Sequence, residues 1–357
     1  MQDNLSQKDK KTLKIFSPWK IGVAIALGLG CSSYLLYQSL TEGGNSATFI
    51  EILSNPNWFW VGLVFIVLFA RDAGYSYRIK HITSGRLTWR GSINTILLWE
   101  FASAVTPTVV GGTAVAVFIL KREGIKFGRA VAYVMITAIL DNAFFLIAAP
   151  IVFLAYEQSP FAGFDDGATK WGMQATFYTS YSLIFIYTMF MASSTIFFPK
   201  TIRWIILFIV RKFKIKKRRD MLLNFSNEVY TASQELNGKD FSYWSKALLS
   251  TIFVWCSRYF ILNCILAALS TSMSLKEHLA AFSKHVILWV TMLFSPTPGA
   301  AGVTELFLQE LFGDSPQTSA VSMIWRILTF FLYLIIGSIL LPRWIKNSGK
   351  RLEEKAK

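Results

Sequence analysis

Acidic residues are scarce in this chain, and so is charge of any kind. Only 21 Asp and Glu stand against 36 Lys and Arg, and charged residues make up 16% of the sequence. A soluble domain carries about 25%, so an ordinary water-soluble fold is excluded. Cysteine is nearly absent: Cys31, Cys256 and Cys264 all fall inside apolar stretches, which leaves no disulfide framework and no metal-ligand spacing. Histidine is as rare. His81 falls in a basic loop, and His278 and His285 at the outer end of a later apolar segment, where water-solvated interface positions are expected. No Ser-His-Asp set, HExxH motif or Gly-Lys-Ser/Thr phosphate loop is present. The chain is therefore expected not to be an enzyme, and to use no metal, cofactor or nucleotide.

What fills the sequence instead is apolar: 53% hydrophobic and 15% aromatic residues, in runs that reach the roughly 20 residues a spanning helix needs. The net charge of +15 suggests nucleic acid at first sight, but it collects in short loops and at both ends, as orientation signals do. No nucleic-acid partner is expected. Alternate inside and outside assignments follow from those loops. Spans are expected over Trp19–Leu40, Trp58–Arg78, Phe127–Ala155, Thr176–Phe198, Phe241–Leu269 and Ala320–Leu341, with both termini cytoplasmic. All but five of the 36 basic residues then fall on the cytoplasmic side. An interfacial helix too short to span is expected over 202–213, inside a basic linker.

Two stretches interrupt this pattern in the same way. Thr106–Gly124, TPTVVGGTAVAVFILKREG, and Ser295–Gly313, SPTPGAAGVTELFLQELFG, align without gaps and pair Pro107 with Pro296, Phe118 with Phe307 and Gly124 with Gly313. Pro removes a backbone donor and Gly weakens a helix, so each stretch is expected to break at membrane depth. Both flanks of the first stretch are basic, which fits a re-entrant hairpin over 92–122 better than a span. The second, over 276–312, exits into a loop with Asp314 and no basic residue, and so enters from outside. Corresponding breaks in two halves of a membrane protein point to a transporter's binding site. The alternative is two kinked helices with no ligand.

At each break a half-helix offers unpaired N–H groups and a partial positive charge, a cradle for a phosphate. The candidate substrate-binding residues are Pro107, Gly111, Gly112 and Thr113 at the first break, and Pro296, Pro298, Gly299 and Gly302 at the second. Intramembrane charges mark function or pairing. Arg258 and Arg326 are candidate phosphate contacts, because a guanidinium matches phosphate geometry. Glu100, Asp141 and Glu305 are candidates for proton or ion coupling, with Glu305 also beside the substrate. Internal ion pairs, such as Arg326 with Glu305, are the competing reading.

These motifs resemble a known family. Thr106 to Asp141, with Pro107, Gly111, Gly112, Leu120, Gly124 and Asp141, is similar to the membrane region of the lysylphosphatidylglycerol synthase family. PTPGAAGVTE, Pro296–Glu305, resembles that family's second motif, and Arg326 fits its last span. Where relatives tend to have Gly-Glu after the first Pro, this chain has Gly112-Thr113, which leaves Glu305 as the acidic residue beside a break. The resemblance spans Trp19 to Leu341 and implies a flippase-like membrane protein. With 16 residues after Leu341, it implies a stand-alone member without the synthase domain.

The expected architecture is all-α: a polytopic helical membrane protein with two inverted-topology halves, each holding a broken or re-entrant hairpin. The parts are a cytoplasmic tail 1–18, membrane half 19–199, basic linker 200–240, membrane half 241–341 and basic tail 342–357. The expected function is transport of an anionic lipid-like substrate, an aminoacyl-phospholipid or a polyprenyl-phosphate-linked sugar, across the cytoplasmic membrane. The alternative is a lipid-binding accessory subunit that docks a cytoplasmic glycosyl- or aminoacyl-transferase. The sequence leaves the oligomeric state open.

Overall fold

The computed structural model describes residues 17–41, 46–106, 108–155, 161, 167–193, 204, 208, 219–293, 295, 297–313 and 315–356. Pro107, Pro296 and, apart from Trp204 and Phe208, the interfacial helix expected over 202–213 lie outside these residues. Among the described residues all regular structure is helical. The elements are α1 (Pro18–Thr41), α2 (Ser46–Ser54), α3 (Trp58–Ile82), α4 (Trp89–Val105), α5 (Thr108–Arg122), α6 (Phe127–Ala155), α7 (Gly167–Ala192), α8 (Arg219–Asn237), α9 (Phe241–Ala268), α10 (Leu275–Met292), α11 (Val303–Phe312), α12 (Pro316–Arg326) and α13 (Leu332–Ala356). A π-helical turn, Ile327–Phe331, joins the last two into one rod. Trp58–Ile82, Phe127–Leu154, Phe241–Ala268 and Pro316–Ser348 are each long and apolar enough to cross a membrane.

The helix ends follow from local chemistry. Asn57, Thr88, Asp240 and Ser315 each accept a hydrogen bond from a backbone N–H in the following turn, which satisfies donors that a helix start leaves unpaired. Ser274 and Glu277 form a reciprocal capping box on α10. Gly124 and Gly313 terminate the two hairpins with φ of +98° and +89°, a conformation costly for other residues.

The long contact between α3 and α9 runs through the centre of the bundle. Gly74 makes it possible, because a Cβ there would lie 2.9 Å from Phe253 and Val254. The basic ends of α3 and α9 meet where His81 bonds the Tyr243 carbonyl at 3.0 Å. At the far end the Asn57 amide donates to the Ala268 carbonyl at 2.8 Å. Helix α8 straps the basic end: Glu228 accepts from the Gly128 amide at 2.8 Å, and Glu235 reaches both Arg86 and Arg129.

Helices α4 and α5 form one hairpin, α10 and α11 the other. The first opens at the basic end, where Gly91 at the start of α4 faces Glu123 just after α5. The second opens at the opposite end. There His278 of α10 bonds Asn263 near the end of α9, and Gln317 just after the hairpin bonds Leu269 and Ser270. Both hairpins begin and end within three residues of the expected 92–122 and 276–312.

Three local expectations change. The first break is shorter than the Gly pair suggests: helix resumes at Thr108, so Gly111, Gly112 and Thr113 lie inside α5. Gly112 serves close helix approach instead, since a Cβ would fall 2.4 Å from the Ser103 hydroxyl on α4. His285 is fully buried rather than at a water interface, its ring packed edge-on to Tyr259 and Trp325. And α3 does not end at Arg78 but continues to Ile82, which carries Arg71 and Arg78 into the interior.

Candidate functional site

The interior holds a layer of arginine–carboxylate pairs. Arg71 and Glu100 each lie eleven residues inside the basic ends of α3 and α4, roughly 17 Å at 1.5 Å per residue, near the middle of a 30 Å hydrocarbon core. Arg258 of α9 makes a bidentate pair with Glu100, at 3.2 Å and 3.1 Å, and donates to Tyr75 Oη at 3.1 Å. Its guanidinium also lies over Trp289, 4.7 Å from the ring centroid. Arg71 donates to Asp72 and to Tyr333 Oη, and Tyr333 donates on to Asp72 at 2.6 Å. Arg78 forks onto Asp141, which also accepts from Trp255 Nε1 at 2.7 Å. Each charge is matched, as burial in low dielectric demands.

The network ties the expected halves together. Glu100 of α4 grips Arg258 of α9, and Arg71 of α3 grips Tyr333 of α13. Tyr75, which accepts from Arg258, stands one turn from Arg71 on α3, so the two clusters are neighbours.

The second break forms a separate cluster. Gly299, Ala300 and Gly302 all have positive φ, which bends the chain sharply ahead of α11. Arg326 holds that bend. Its Nη1 donates to the Gly299 carbonyl at 2.8 Å and its Nη2 to that of Ala300 at 3.1 Å. Its Nε and Nη2 bond Glu305 at 2.6 Å and 2.9 Å. Glu305 in turn accepts from the Gly302 amide at 2.8 Å, so the half-helix start is capped by its own side chain. Both side chains are almost fully buried, at 3% and 1% exposure. The π turn follows Arg326 directly, and its Phe330 fills the space a Gly299 Cβ would need, 2.2 Å away.

The sequence-derived residues therefore fall into two groups. Glu305, Arg326, Gly299, Gly302 and the half-buried Pro298 meet in one loop. Arg258 and Glu100 meet in the central layer, with Asp141 nearby on Trp255. All three candidate coupling carboxylates are paired with arginine. Sequence reasoning missed Arg71, Asp72, Tyr75, Arg78 and Tyr333. The spacing of Arg71, Tyr75 and Arg78, at i, i+4 and i+7, was a readable signal that they share a helix face.

Beside the layer, α3, α4 and α9 enclose a groove of about 920 Å³. Its walls are Phe69, Ala73, Ile93, Leu97, Leu249 and Phe253, and it touches the charged layer at Asp72. Several of these residues are exposed on the helix surfaces, so the groove opens sideways. Lys246 stands at its basic end.

Two comparisons bear on this arrangement. The lysylphosphatidylglycerol synthase TM region family matches residues 20–337. A relative described as a UPF0104 membrane protein, from Archaeoglobus fulgidus, is 22% identical over 299 residues, 81% of this chain and 88% of the relative. The matched region takes in the central layer, the groove, both hairpins and the loop held by Arg326, and on that match the chain belongs to the lysylphosphatidylglycerol synthase TM region family.

Proposed function

We propose that this membrane protein binds an anionic lipid-like molecule in the lateral groove and moves it between leaflets of the cytoplasmic membrane. The observation that carries the reading is the groove itself. An apolar trough between three helices that opens sideways suits an acyl or polyprenyl chain, and its volume is near the upper end of the roughly 300–1,000 Å³ typical of ligand sites. The charged layer supplies the polar half. Asp72 joins the groove to Arg71 and Tyr333.

A headgroup phosphate crossing this layer competes with Glu100 for the Arg258 guanidinium. Protonating Glu100 frees that guanidinium without leaving an unpaired buried carboxylate. This exchange gives proton coupling a physical form. The concentration of Lys and Arg at one end of the bundle supports a reading with both termini on the cytoplasmic side. Arg326 and Glu305 hold the second hairpin's bend. The two hairpins open at opposite ends, which supports reading the halves as an inverted pair.

Reconstitution tests the reading. Purified protein in liposomes should equilibrate a headgroup-labelled anionic lipid between leaflets. Ala73→Trp, which fills the groove with an indole, should cut the rate at least tenfold while leaving the melting temperature within a few degrees. Equal rates with and without protein would overturn it. The second reading, an accessory subunit that docks a cytoplasmic transferase, draws on α8, held firmly at the basic end by Glu228 and Glu235. Lipid bound but not moved would favour that alternative.

A further inference from the structure

The groove does not end at Lys246. Tyr77 and Trp89 belong both to its wall and to a second recess of about 330 Å³ at the basic end, whose other members include Lys80, His81, Lys239 and Tyr243. The two spaces meet at these rings, 40% and 54% exposed, amphipathic side chains of the kind that sit where apolar and wet regions join. Behind them His81 stacks between Tyr77 and Tyr243, with centroids 5.9 Å and 4.6 Å away. The recess is thus floored by a fixed aromatic stack.

Its charge is not balanced. Four interior arginines each have a carboxylate: Arg71 has Asp72, Arg78 has Asp141, Arg258 has Glu100 and Arg326 has Glu305. Arg86 and Arg129, near the recess, share Glu235. Lys80, Lys239 and Lys246 differ. Among the described residues none of the three forms an ion pair. Lysines that only mark membrane orientation extend into water. Here Lys80 lies over the Trp89 ring and Lys239 over the Tyr243 ring, each with Nζ 5.3 Å from the centroid, and both are half-buried. Cation–π contact holds an ammonium in place but leaves its N–H donors open to an anion.

We infer that this recess is the headgroup subsite of the groove, where Lys80 and Lys239 clamp a phosphate whose lipid chains lie along α3, α4 and α9. An ammonium is a compact point charge suited to a phosphate, and two of them exceed what a zwitterionic headgroup requires. The substrate class is then a lipid with net negative charge at its phosphate, taken from the leaflet on the basic side. The inference rests on the lipid reading of the groove.

The test is native mass spectrometry of the full chain, released from detergent and titrated with phosphatidylglycerol, phosphatidylcholine or inorganic phosphate. Wild type should retain phosphatidylglycerol in preference to phosphatidylcholine. The double variant Lys80→Gln/Lys239→Gln should lose roughly tenfold or more of the phosphatidylglycerol affinity, about one charge-assisted hydrogen bond's worth, with phosphatidylcholine unchanged. Unchanged phosphatidylglycerol binding in that variant overturns the headgroup clamp and leaves the groove reading standing. A wild type that retains neither lipid overturns the groove reading itself. Inorganic phosphate that binds at these lysines even when Ala73→Trp fills the groove makes the ligand a soluble phosphate compound, and the lipid assignment of the recess fails. A melting temperature within a few degrees of wild type for both variants separates these outcomes from misfolding.

Discussion

At the scale of single residues, the interior is governed by pairing. Arg326 has four of its N–H groups directed at Glu305 and at two loop carbonyls, and Glu305 is also bound by the Gly302 amide. Removing either partner leaves a buried charge uncompensated, a loss of about 3–5 kcal/mol. Arg326→Gln and Glu305→Gln should each lower thermal stability in detergent by that order. The double change should recover much of it, because neither charge remains, although the loop carbonyls at Gly299 and Ala300 still lose their donor. A double-mutant cycle measures the coupling. Additive losses would show that the pair is not what holds the bend. The same geometry argues that Arg326 positions the loop, while Arg258, exposed at 14% and bonded to a carboxylate exposed at 14%, is the guanidinium nearer to exchange.

At the scale of elements, the two hairpins set the topology. The first opens beside Glu123 and the second beside Asn263, at opposite ends of the bundle. With the basic end in the cytoplasm, a cysteine at exposed Lys126 should be silent to an impermeant maleimide added outside intact cells. One at exposed Thr271 should react. Both belong in a background in which Cys31, Cys256 and Cys264 are serine, so that only the introduced thiol reports. Labelling of both positions from the same side would contradict opposed hairpins in the membrane.

This level was largely readable in advance. Pro and Gly punctuate each hairpin, and loop charge assigns its open end, so both boundaries fell within three residues of the helices seen. The central layer was not readable in the same way. Arg71 and Arg78 fall at the inner end of the expected span, where the positive-inside rule locates basic residues without asking whether a helix continues through them. The face shared by Arg71, Tyr75 and Arg78 is a periodic signal that outranks it. Tyr333 carries no local signal at all: a tyrosine in an apolar run gains its meaning from Asp72 and Arg71, more than 260 positions away.

At the scale of the whole molecule, the groove and its recess belong to no single segment. Three helices from two expected halves create them, and Gly74 permits the close α3–α9 approach beside them. Family membership accounts for the helical frame. What the lipid reading adds is a route: chains along an apolar trough, a headgroup at unpaired lysines, and a charged layer whose pairs can exchange partners.

The most direct measurement is a photo-cross-link in native membranes. A benzophenone amino acid at Ala73, inside the groove, should capture lipid enriched in one anionic headgroup class. The same probe at Leu154, 88% exposed on α6 and outside the groove, should capture the bulk mixture. Mass spectrometry of the adducts compares the two directly. Enrichment at 73 over 154 is the predicted result; the same lipid distribution at both positions would contradict a lipid site in the groove.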